Sequence, residues 1–375
     1  MHKLLGLATA LAAAVIPPAQ AEDRFLKEAV EFTGMVLYYE YKVPAVVIGA
    51  VRDGEVAVSG WGEARDGSDT PPDGDTLMTI GSITKAFTGT TLASLVAEGT
   101  VGLTDRLDDH LGWEVELPER DGQAIRLIHL ATHTSGLPRE ARTPDEVADQ
   151  HYFGISREAM EADLASDPLL FTPGASAAYS NFGFDLLAQA LQEAAGESYE
   201  ELLRKRVLEP AGLTSTGYDL PGDRQVMQGH GVDGTPVPQE ALPEIKRGAS
   251  GLVSSTNDLL RWLDWHLDRF AAEDADMRLI DHAAYVPRDT LEVAYGLDGS
   301  GRMDAMGLGW VVMHANHERP TVLQKAGGAD GIFSFVAFAP GHDVGIFVAI
   351  NTFDFAASGG MAEMALDLLA DFAGY

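Results

Sequence analysis

Hydrophobic residues recur at helical spacing in several parts of the sequence. The first such stretch, residues 24–41, predicts an amphipathic helix whose apolar stripe is formed by Phe25, Ala29, Phe32 and Val36. The same spacing predicts further helices over residues 82–99, after Tyr179, from Ser254 onwards and over residues 361–372. Residues 222–248 are rich in Gly and Pro, which predicts a long surface loop.

Short runs of β-branched and aromatic residues lie near both ends of the chain. Residues 45–52 and 55–60 flank Asp53-Gly54, a strong signal for a two-residue hairpin. Further runs separated by turns predict an antiparallel meander over residues 309–314, 321–325, 332–339 and 344–351. We therefore expect an α/β (α+β) fold, with one antiparallel sheet built from both termini and flanked by helices, and a mainly helical lobe. The α/β lobe would comprise about residues 22–80 and 245–375, and the helical lobe about residues 81–244.

The first 21 residues have the features of a secretory signal. His2 and Lys3 form a short basic start, residues 4–16 form an apolar run too short to span a bilayer, and Ala19-Gln20-Ala21 is a small-x-small cleavage site. We expect residues 1–21 to be a signal peptide and residues 22–375 to be the mature, periplasmic chain. No other apolar run reaches membrane-spanning length, so we expect no transmembrane segment in the mature chain.

Composition and charge narrow the classes of function. The 375 residues carry a formal net charge of -31, which argues against binding nucleic acid or an anionic membrane through bulk charge. Cysteine is absent, which excludes thiol catalysis and cysteine-ligated metal ions. Core packing without disulfides must therefore hold the fold. We expect no cofactor.

Candidate chemistry begins at Ser82 and Lys85, at the start of a predicted helix. The first N–H groups of a helix lack partners, so the serine backbone can help to hold a developing oxyanion. Three residues make about one turn, so the lysine amine lies beside the serine hydroxyl. A nucleophile with an adjacent base is the minimum for covalent catalysis. A lone Ser-x-x-Lys is a weak signal, so it needs companions elsewhere in the chain.

Two further motifs supply these companions. Tyr179-Ser180-Asn181 precedes a predicted helix, and Lys325-Ala326-Gly327-Gly328 stands at the end of a predicted strand. Alone, such a tyrosine is usually a packed aromatic residue, and Asn181 is as readily a helix cap. Together with Ser82, they predict a site gathered from three distant parts of one fold, in the cleft between the two lobes.

His129 and His133 are four residues apart, a spacing that can bind a metal ion on a helix. The helical zinc signature has a glutamate directly after the first histidine, but Leu130 stands there, and no third ligand is evident. We interpret both histidines as structural residues beside a turn and predict no metal site.

The three motifs together resemble those of the serine β-lactamase and penicillin-binding-protein superfamily, in its class C-like branch with tyrosine in the second motif. Within that branch the chain is most similar to the AmpH-type D-alanyl-D-alanine carboxypeptidase/endopeptidases. The matching stretches are residues 130–135, 177–187, 307–310 and 324–325. The resemblance covers nearly the whole mature chain and implies a β-lactamase/DD-peptidase-like fold.

The resemblance also implies an acyl-enzyme mechanism that acts on peptidoglycan peptides or muropeptides, with β-lactams as covalent inhibitors or substrates. Ser82 would attack the carbonyl of a D-Ala-D-Ala or cross-link amide. Burial and a second cation, Lys325, would lower the pKa of Lys85 enough to make it a plausible base. Tyr179 would pass the proton to the leaving amine, or act as the base itself if the two lysines favour its phenolate.

Substrate binding is assigned by the same resemblance. Asn181 would bind the substrate amide and hold the Lys85 side chain. Lys325 would attract the terminal carboxylate, next to Ala326 and Gly327 in the third motif. The oxyanion hole would be formed by the backbone N–H groups of Ser82 and Gly328.

Ala326 departs from the family pattern, which usually has a hydroxyl residue between the lysine and the glycine of the third motif. The absence of this hydroxyl weakens the case for carboxypeptidase specificity, because the hydroxyl would help to bind a carboxylate. A serine esterase on the same scaffold and a class C-like β-lactamase therefore remain as alternatives. A penicillin-binding sensor is the non-enzymatic alternative, although the nucleophile and both candidate bases are present.

Overall fold

The structure, a computed structural model, describes residues 23–142, 155–219, 222, 224–271 and 273–375. The predicted signal peptide, residues 1–21, lies outside the described residues. The described helices are α1 (Arg24–Tyr41), α2 (Thr84–Ala97), α3 (Leu127–Ala131), α4 (Arg157–Ala165), α5 (Asn181–Ala195), α6 (Tyr199–Leu203), α7 (Thr256–Leu267), α8 (Ala275–Asp281) and α9 (Phe355–Ala373). None of them combines the length and apolar character that a membrane span needs.

The described strands lie near both ends of the chain and in its middle. They are β1 (Ala45–Arg52), β2 (Glu55–Gly62), β3 (Leu77–Thr79), β4 (Ala177–Ala178), β5 (Gly229–His230), β6 (Pro236–Val237), β7 (Val253–Ser255), β8 (Val286–Pro287), β9 (Ala294–Tyr295), β10 (Ala305–Met306), β11 (Val311–Met313), β12 (Val322–Ala329), β13 (Ile332–Ala339) and β14 (Val344–Ile350). The large sheet has the order β2-β1-β14-β13-β12-β11-β10-β8, with every neighbouring pair antiparallel.

This sheet joins the two ends of the chain. Val47 of β1 pairs with Ala349 of β14 on one side and with Gly60 of β2 on the other. Asp53 and Gly54, both with positive φ, form the tight turn of the β1–β2 hairpin. The expected fold class, with an antiparallel sheet from both termini and flanking helices, is confirmed. The predicted lobe boundaries stay a prediction.

Both faces of the central strands are covered by helices. Along β1, Val46 and Ile48 pack with α1 and α9, whereas Val47 and Val51 pack on the other face with α7. A strand that is buried on both faces needs apolar residues at successive positions, which explains the unbroken run Ala45-Val46-Val47-Ile48. The hydrophobic pattern of β13 and β14 has the same cause, since all their residues are buried.

Helix α1 has the predicted bounds but buries a different stripe. Leu26, Val30 and Leu37 face the sheet, whereas Phe25 and Phe32 of the predicted stripe are 57% and 62% exposed. Two apolar stripes run along this helix, so periodicity could not decide which of them faces the core.

Three further local expectations were wrong. The leucines in residues 100–111 recur at helical spacing, which predicts a helix there, but the structure has only a short 3-10 turn, Leu107–Asp109. Lys325 lies within β12, four residues before its end, and not at the end of a strand. The last part of the predicted surface loop forms the turn Glu244–Lys246, in which Lys246 is fully buried.

Helix α2 connects the sheet with the helical part of the molecule. Its residues from Thr84 to Leu95 are all buried. Near its start, the Phe87 ring stacks on Trp262 of α7 with centroids 3.8 Å apart. Leu92 and Leu95, near its other end, pack in a core shared with α5. The backbone that carries Lys85 is therefore fixed on all sides.

Gly89 allows α2 to pack directly against backbone, which generates a stability prediction. A Cβ at this position would lie 1.8 Å from the carbonyl oxygen of Leu308. We expect Gly89→Ala to lower the free energy of unfolding by about 1–3 kcal/mol, because the helix must move away. Gly359→Ala is the matched control, since this exposed position in α9 has no heavy atom within 4 Å of the added Cβ.

The control substitution should raise the free energy of unfolding by about 0.5–1 kcal/mol through helix propensity alone. Urea unfolding of both variants measures the two effects. Equal free energies of unfolding for Gly89→Ala and Gly359→Ala would show that the contact with Leu308 does not constrain α2.

Candidate active site

Ser82 lies in a 3-10 turn, Gly81–Ile83, immediately before α2. The α-helix therefore starts two residues later than predicted. The turn is fixed by hydrogen bonds on both sides: the Thr84 hydroxyl donates to the Gly81 carbonyl at 2.7 Å, and the Ile80 N–H donates to the Leu252 carbonyl at 3.0 Å. These bonds hold the serine rigidly at the helix entrance.

Two side chains converge on the Ser82 hydroxyl. Lys85 Nζ lies 3.1 Å and Tyr179 Oη 2.7 Å from Ser82 Oγ, and both act as donors to it. Lys85 Nζ also donates to the Ala249 carbonyl at 2.7 Å. The structure thus brings together the first two sequence motifs, which are separated by almost a hundred residues.

Burial changes the acid–base behaviour of Lys85. The side chain is fully buried, and desolvation of its ammonium group lowers the pKa from its ordinary 10.5 to about 7, although the nearby carboxylates of Asp185 and Glu140 oppose the shift. A lysine with this pKa is unprotonated in a large fraction of molecules at neutral pH. It can then accept the proton of a serine hydroxyl 3.1 Å away.

Tyr179 lies between several cations. It follows β4 and precedes the Ser180 cap of α5, whose hydroxyl accepts from Gly183 N–H at 2.9 Å. Lys85 Nζ and Lys325 Nζ each lie 4.9 Å from the centroid of the Tyr179 ring, and the Arg139 guanidinium lies 4.8 Å from it. Three basic side chains therefore lie against the ring of Tyr179.

His133 supports the same ring, a role that the sequence did not indicate. Its imidazole stacks on Tyr179 with centroids 4.5 Å apart, and its Nδ1 accepts from the Ser180 N–H at 3.1 Å. Burial first, and then the charges of Lys325 and Lys85, hold the pKa of His133 well below 6.5, so the ring is neutral. The interpretation of His133 as a residue beside a turn did not include this contact with Tyr179.

The third motif reaches Ser82 through β12. A Cβ on Gly327 would lie 2.0 Å from the Ile80 carbonyl oxygen, and a Cβ on Gly81 would lie 2.6 Å from Gly328 N. Strand and turn therefore touch backbone to backbone, and only glycine permits this. The contact places the Gly328 backbone beside the Ser82 turn. The oxyanion hole formed by Ser82 and Gly328 stays a prediction.

The remaining predicted residues line two cavities. A cavity of about 640 Å³ contains Ser82, Arg139, Glu140, Asn181 and Gly328 in its wall. A smaller cavity of about 100 Å³ is lined by Tyr179, Lys325 and Ala326, among others. Ser82 lines the larger cavity and Tyr179 lines the smaller one, and their side-chain oxygens are 2.7 Å apart.

Asn181 is the first residue of α5 and is not its cap. Its amide nitrogen donates to Glu140, and among the described residues its Oδ1 has no hydrogen-bond partner. A buried, unpaired acceptor in a cavity wall is suited to a substrate N–H. The expected contact between Asn181 and Lys85 stays a prediction.

Among the described residues, one group of side chains of the types that bind metal ions lies close together: His266, Asp281 and His282. This group does not fit a metal site well. Asp281 Oδ2 already accepts from Trp310 Nε1 at 3.1 Å, and the outer ring nitrogens of both histidines lack the acceptors that metal-bound imidazoles normally have. His129 and His133 have separate partners, the N–H groups of Arg126 and Ser180.

Comparison with known proteins agrees with this geometry. A family model described as Beta-lactamase matches residues 19–371. The chain belongs to the beta-lactamase family. It is 30% identical over 356 residues to the D-alanyl-D-alanine-carboxypeptidase/endopeptidase AmpH of Escherichia coli (strain K12), with 94% of this chain and 91% of that protein covered. It is 24% identical to a Beta-lactamase of the same strain, with 88% and 90% covered.

A solved structure shows the same relationship. The beta-lactamase/D-alanine carboxypeptidase from Yersinia pestis, complexed with citrate, superposes with a TM-score of 0.82 at 29% identity, covering 93% of this chain and 98% of that one. The resemblance inferred from the motifs is thereby confirmed, and so is the β-lactamase-like fold. This beta-lactamase family protein is accordingly a serine hydrolase.

The low pKa of Lys85 generates a prediction for the reactivity of Ser82. Labelling of Ser82 by a fluorophosphonate, a serine-directed reagent, should rise about tenfold per pH unit below pH 7 and level off above it, because the base form of Lys85 accumulates with that pKa. Lys85→Met should remove the sigmoid, and Ser82→Ala should remove labelling altogether. A labelling rate that is constant between pH 5 and 9 would contradict Lys85 as the base.

Proposed function

We propose that the protein is a periplasmic serine peptidase that cleaves peptidoglycan peptides at D-alanine, as a carboxypeptidase and endopeptidase. The observation that supports this most is the convergence of Lys85 Nζ and Tyr179 Oη, 3.1 and 2.7 Å away, on the Ser82 hydroxyl. The activity named for the AmpH relative, which matches this chain over 94% of its length, supports the substrate class.

Acylation would start when unprotonated Lys85 accepts the Ser82 proton. The serine oxygen then forms a bond to the carbonyl carbon of the substrate amide, and the carbonyl oxygen gains negative charge. The N–H groups of Ser82 and Gly328 would hold this oxyanion, each contributing about 3 kcal/mol. Tyr179 would donate its proton to the leaving amine as the C–N bond breaks, and the phenol would recover a proton from Lys85.

Substrate orientation would come from the two cavities. The Asn181 Oδ1 acceptor would bind an N–H on the acyl side of the peptide, in the larger cavity. Lys325 would attract the terminal carboxylate of a carboxypeptidase substrate. Burial, and to a smaller extent the neighbouring ammonium of Lys85, lowers the pKa of Lys325. Water would then hydrolyse the Ser82 ester, and the same lysine–tyrosine pair would activate that water.

The proposal is tested with the purified protein and four substrates: a muropeptide pentapeptide, a cross-linked dimer, a short-chain ester and a fluorescent penicillin. We expect loss of D-alanine from the pentapeptide and conversion of the dimer to monomers, read as product masses. Ser82→Ala should reduce both reactions by about 10⁴-fold or more and abolish the penicillin adduct. Tyr179→Phe should reduce them by about 10²- to 10⁴-fold.

The same assay separates the alternatives. Ester cleavage without peptide cleavage would favour a serine esterase, which a weakened carboxylate site at Ala326 would suit. Rapid turnover of the penicillin would favour a β-lactamase, and a stable adduct without any turnover would favour a penicillin-binding sensor. A penicillin adduct on Ser82→Ala would refute the nucleophile itself.

Ala326 generates a separate prediction about carboxylate recognition. Ala326→Thr restores a hydroxyl beside Lys325 and should raise the second-order rate of penicillin acylation by about 5- to 100-fold, which corresponds to roughly 1–3 kcal/mol for one charge-assisted hydrogen bond. Ala326→Val is the matched control, because valine has nearly the volume of threonine without the hydroxyl. Equal acylation rates for the two variants would show that the hydroxyl has no such role.

A further inference from the structure

Three charged side chains are packed directly behind the candidate site. Lys246 is fully buried, and its Nζ lies 2.8 Å from Glu140 Oε2 and 2.8 Å from Asp185 Oδ2. Asp185 is also fully buried, whereas Glu140 is partly exposed to the large cavity. One ammonium group therefore joins two carboxylates that come from different parts of the chain.

Such a buried ion triad is not explained by stability. Removing an ammonium and a carboxylate from water costs free energy that their mutual attraction often fails to recover, and apolar residues of similar volume can serve as well. Buried charges that are kept in this way commonly fix an arrangement of groups. The contacts at both ends of the triad indicate what is fixed here.

Each carboxylate contacts a partner of the catalytic groups. Asp185 Oδ1 accepts from the Ala249 N–H at 3.1 Å, and the carbonyl of the same residue accepts from Lys85 Nζ at 2.7 Å. Glu140 Oε1 accepts from the amide nitrogen of Asn181. The triad thus ends at the backbone partner of Lys85 on one side and at Asn181 on the other.

We propose that Asp185, Lys246 and Glu140 are positioning residues that orient Lys85 and Asn181 towards Ser82 and set the charge around the Lys85 amine. This inference rests on the proposed acyl-enzyme mechanism. The sequence gives no motif for this group, because Lys246, which contacts both carboxylates, is 106 positions from Glu140 and 61 from Asp185.

The electrostatic balance at Lys85 depends on these groups. After burial, the largest influences on its pKa are Asp185 and Glu140, which raise it, and Lys246 and Arg139, which lower it. Lys325, Tyr179 and His133 are the other titratable groups grouped around the site. Removing the Asp185 charge should therefore lower the pKa of Lys85 further and enlarge its unprotonated fraction below pH 7.

The test compares Asp185→Asn with Asp281→Asn. Both carboxyls are fully buried, but Asp281 contacts Thr90 and Trp310, away from Ser82. The acid limb of the pH profile for penicillin acylation should move to lower pH by about half a unit or more in Asp185→Asn. The limb of Asp281→Asn should coincide with that of the unsubstituted protein. Glu140→Gln should move the limb in the same direction by less, because the Glu140 charge raises the pKa of Lys85 less than the Asp185 charge does.

A second readout does not depend on activity. NMR titration of lysine side chains, with Lys85 assigned through Lys85→Arg, should show its pKa near 7 in the unsubstituted protein and lower in Asp185→Asn. Thermal unfolding checks that each variant is folded at the temperature used. If the unsubstituted protein is not acylated, the proposed function fails and the titration alone decides on the triad. An unchanged Lys85 pKa in folded Asp185→Asn overturns the positioning role.

Discussion

The molecule depends on keeping one ammonium group away from water. Lys85 is fully buried in the first turn of a helix that is itself packed on every side, and this burial brings its pKa to about 7. The same enclosure fixes the amine 3.1 Å from the Ser82 hydroxyl. Position and basicity therefore have a common physical cause. A more exposed helix would leave Lys85 protonated and mobile, so this lysine could not accept a proton from Ser82 at neutral pH.

The sheet contributes the opposite wall of the site. Gly81 and Gly327 allow the turn that carries Ser82 to touch strand β12 through backbone atoms. The strand that carries Lys325 is therefore held directly against this turn. The Ser334 hydroxyl donates to the Ile80 carbonyl at 3.1 Å and ties the next strand to the same turn. The position of β12 relative to the Ser82 turn is thus set mainly by direct backbone contact, with one side-chain hydrogen bond from Ser334 beside it.

The sequence was informative where chemistry or periodicity is local. It predicted the bounds of α1, the β1–β2 hairpin and the three motifs, because each leaves a pattern within a few residues. It failed where tertiary packing decides between equal local choices, as for the two apolar stripes of α1. Lys246 shows the limit most clearly: it stands in a Gly- and Pro-rich stretch typical of surface loops, yet it is fully buried between two carboxylates. His133 likewise acts through a ring contact that spacing does not encode.

The pairing of β1 with β14 has a consequence for biosynthesis. Val47 and its partner Ala349 are separated by most of the chain, so the first hairpin has an open edge until nearly the last strand has been synthesised. The sheet cannot be completed on the ribosome before residues 344–350 emerge. Until then one edge of the apolar strand β1 has no partner, which favours its pairing with other chains.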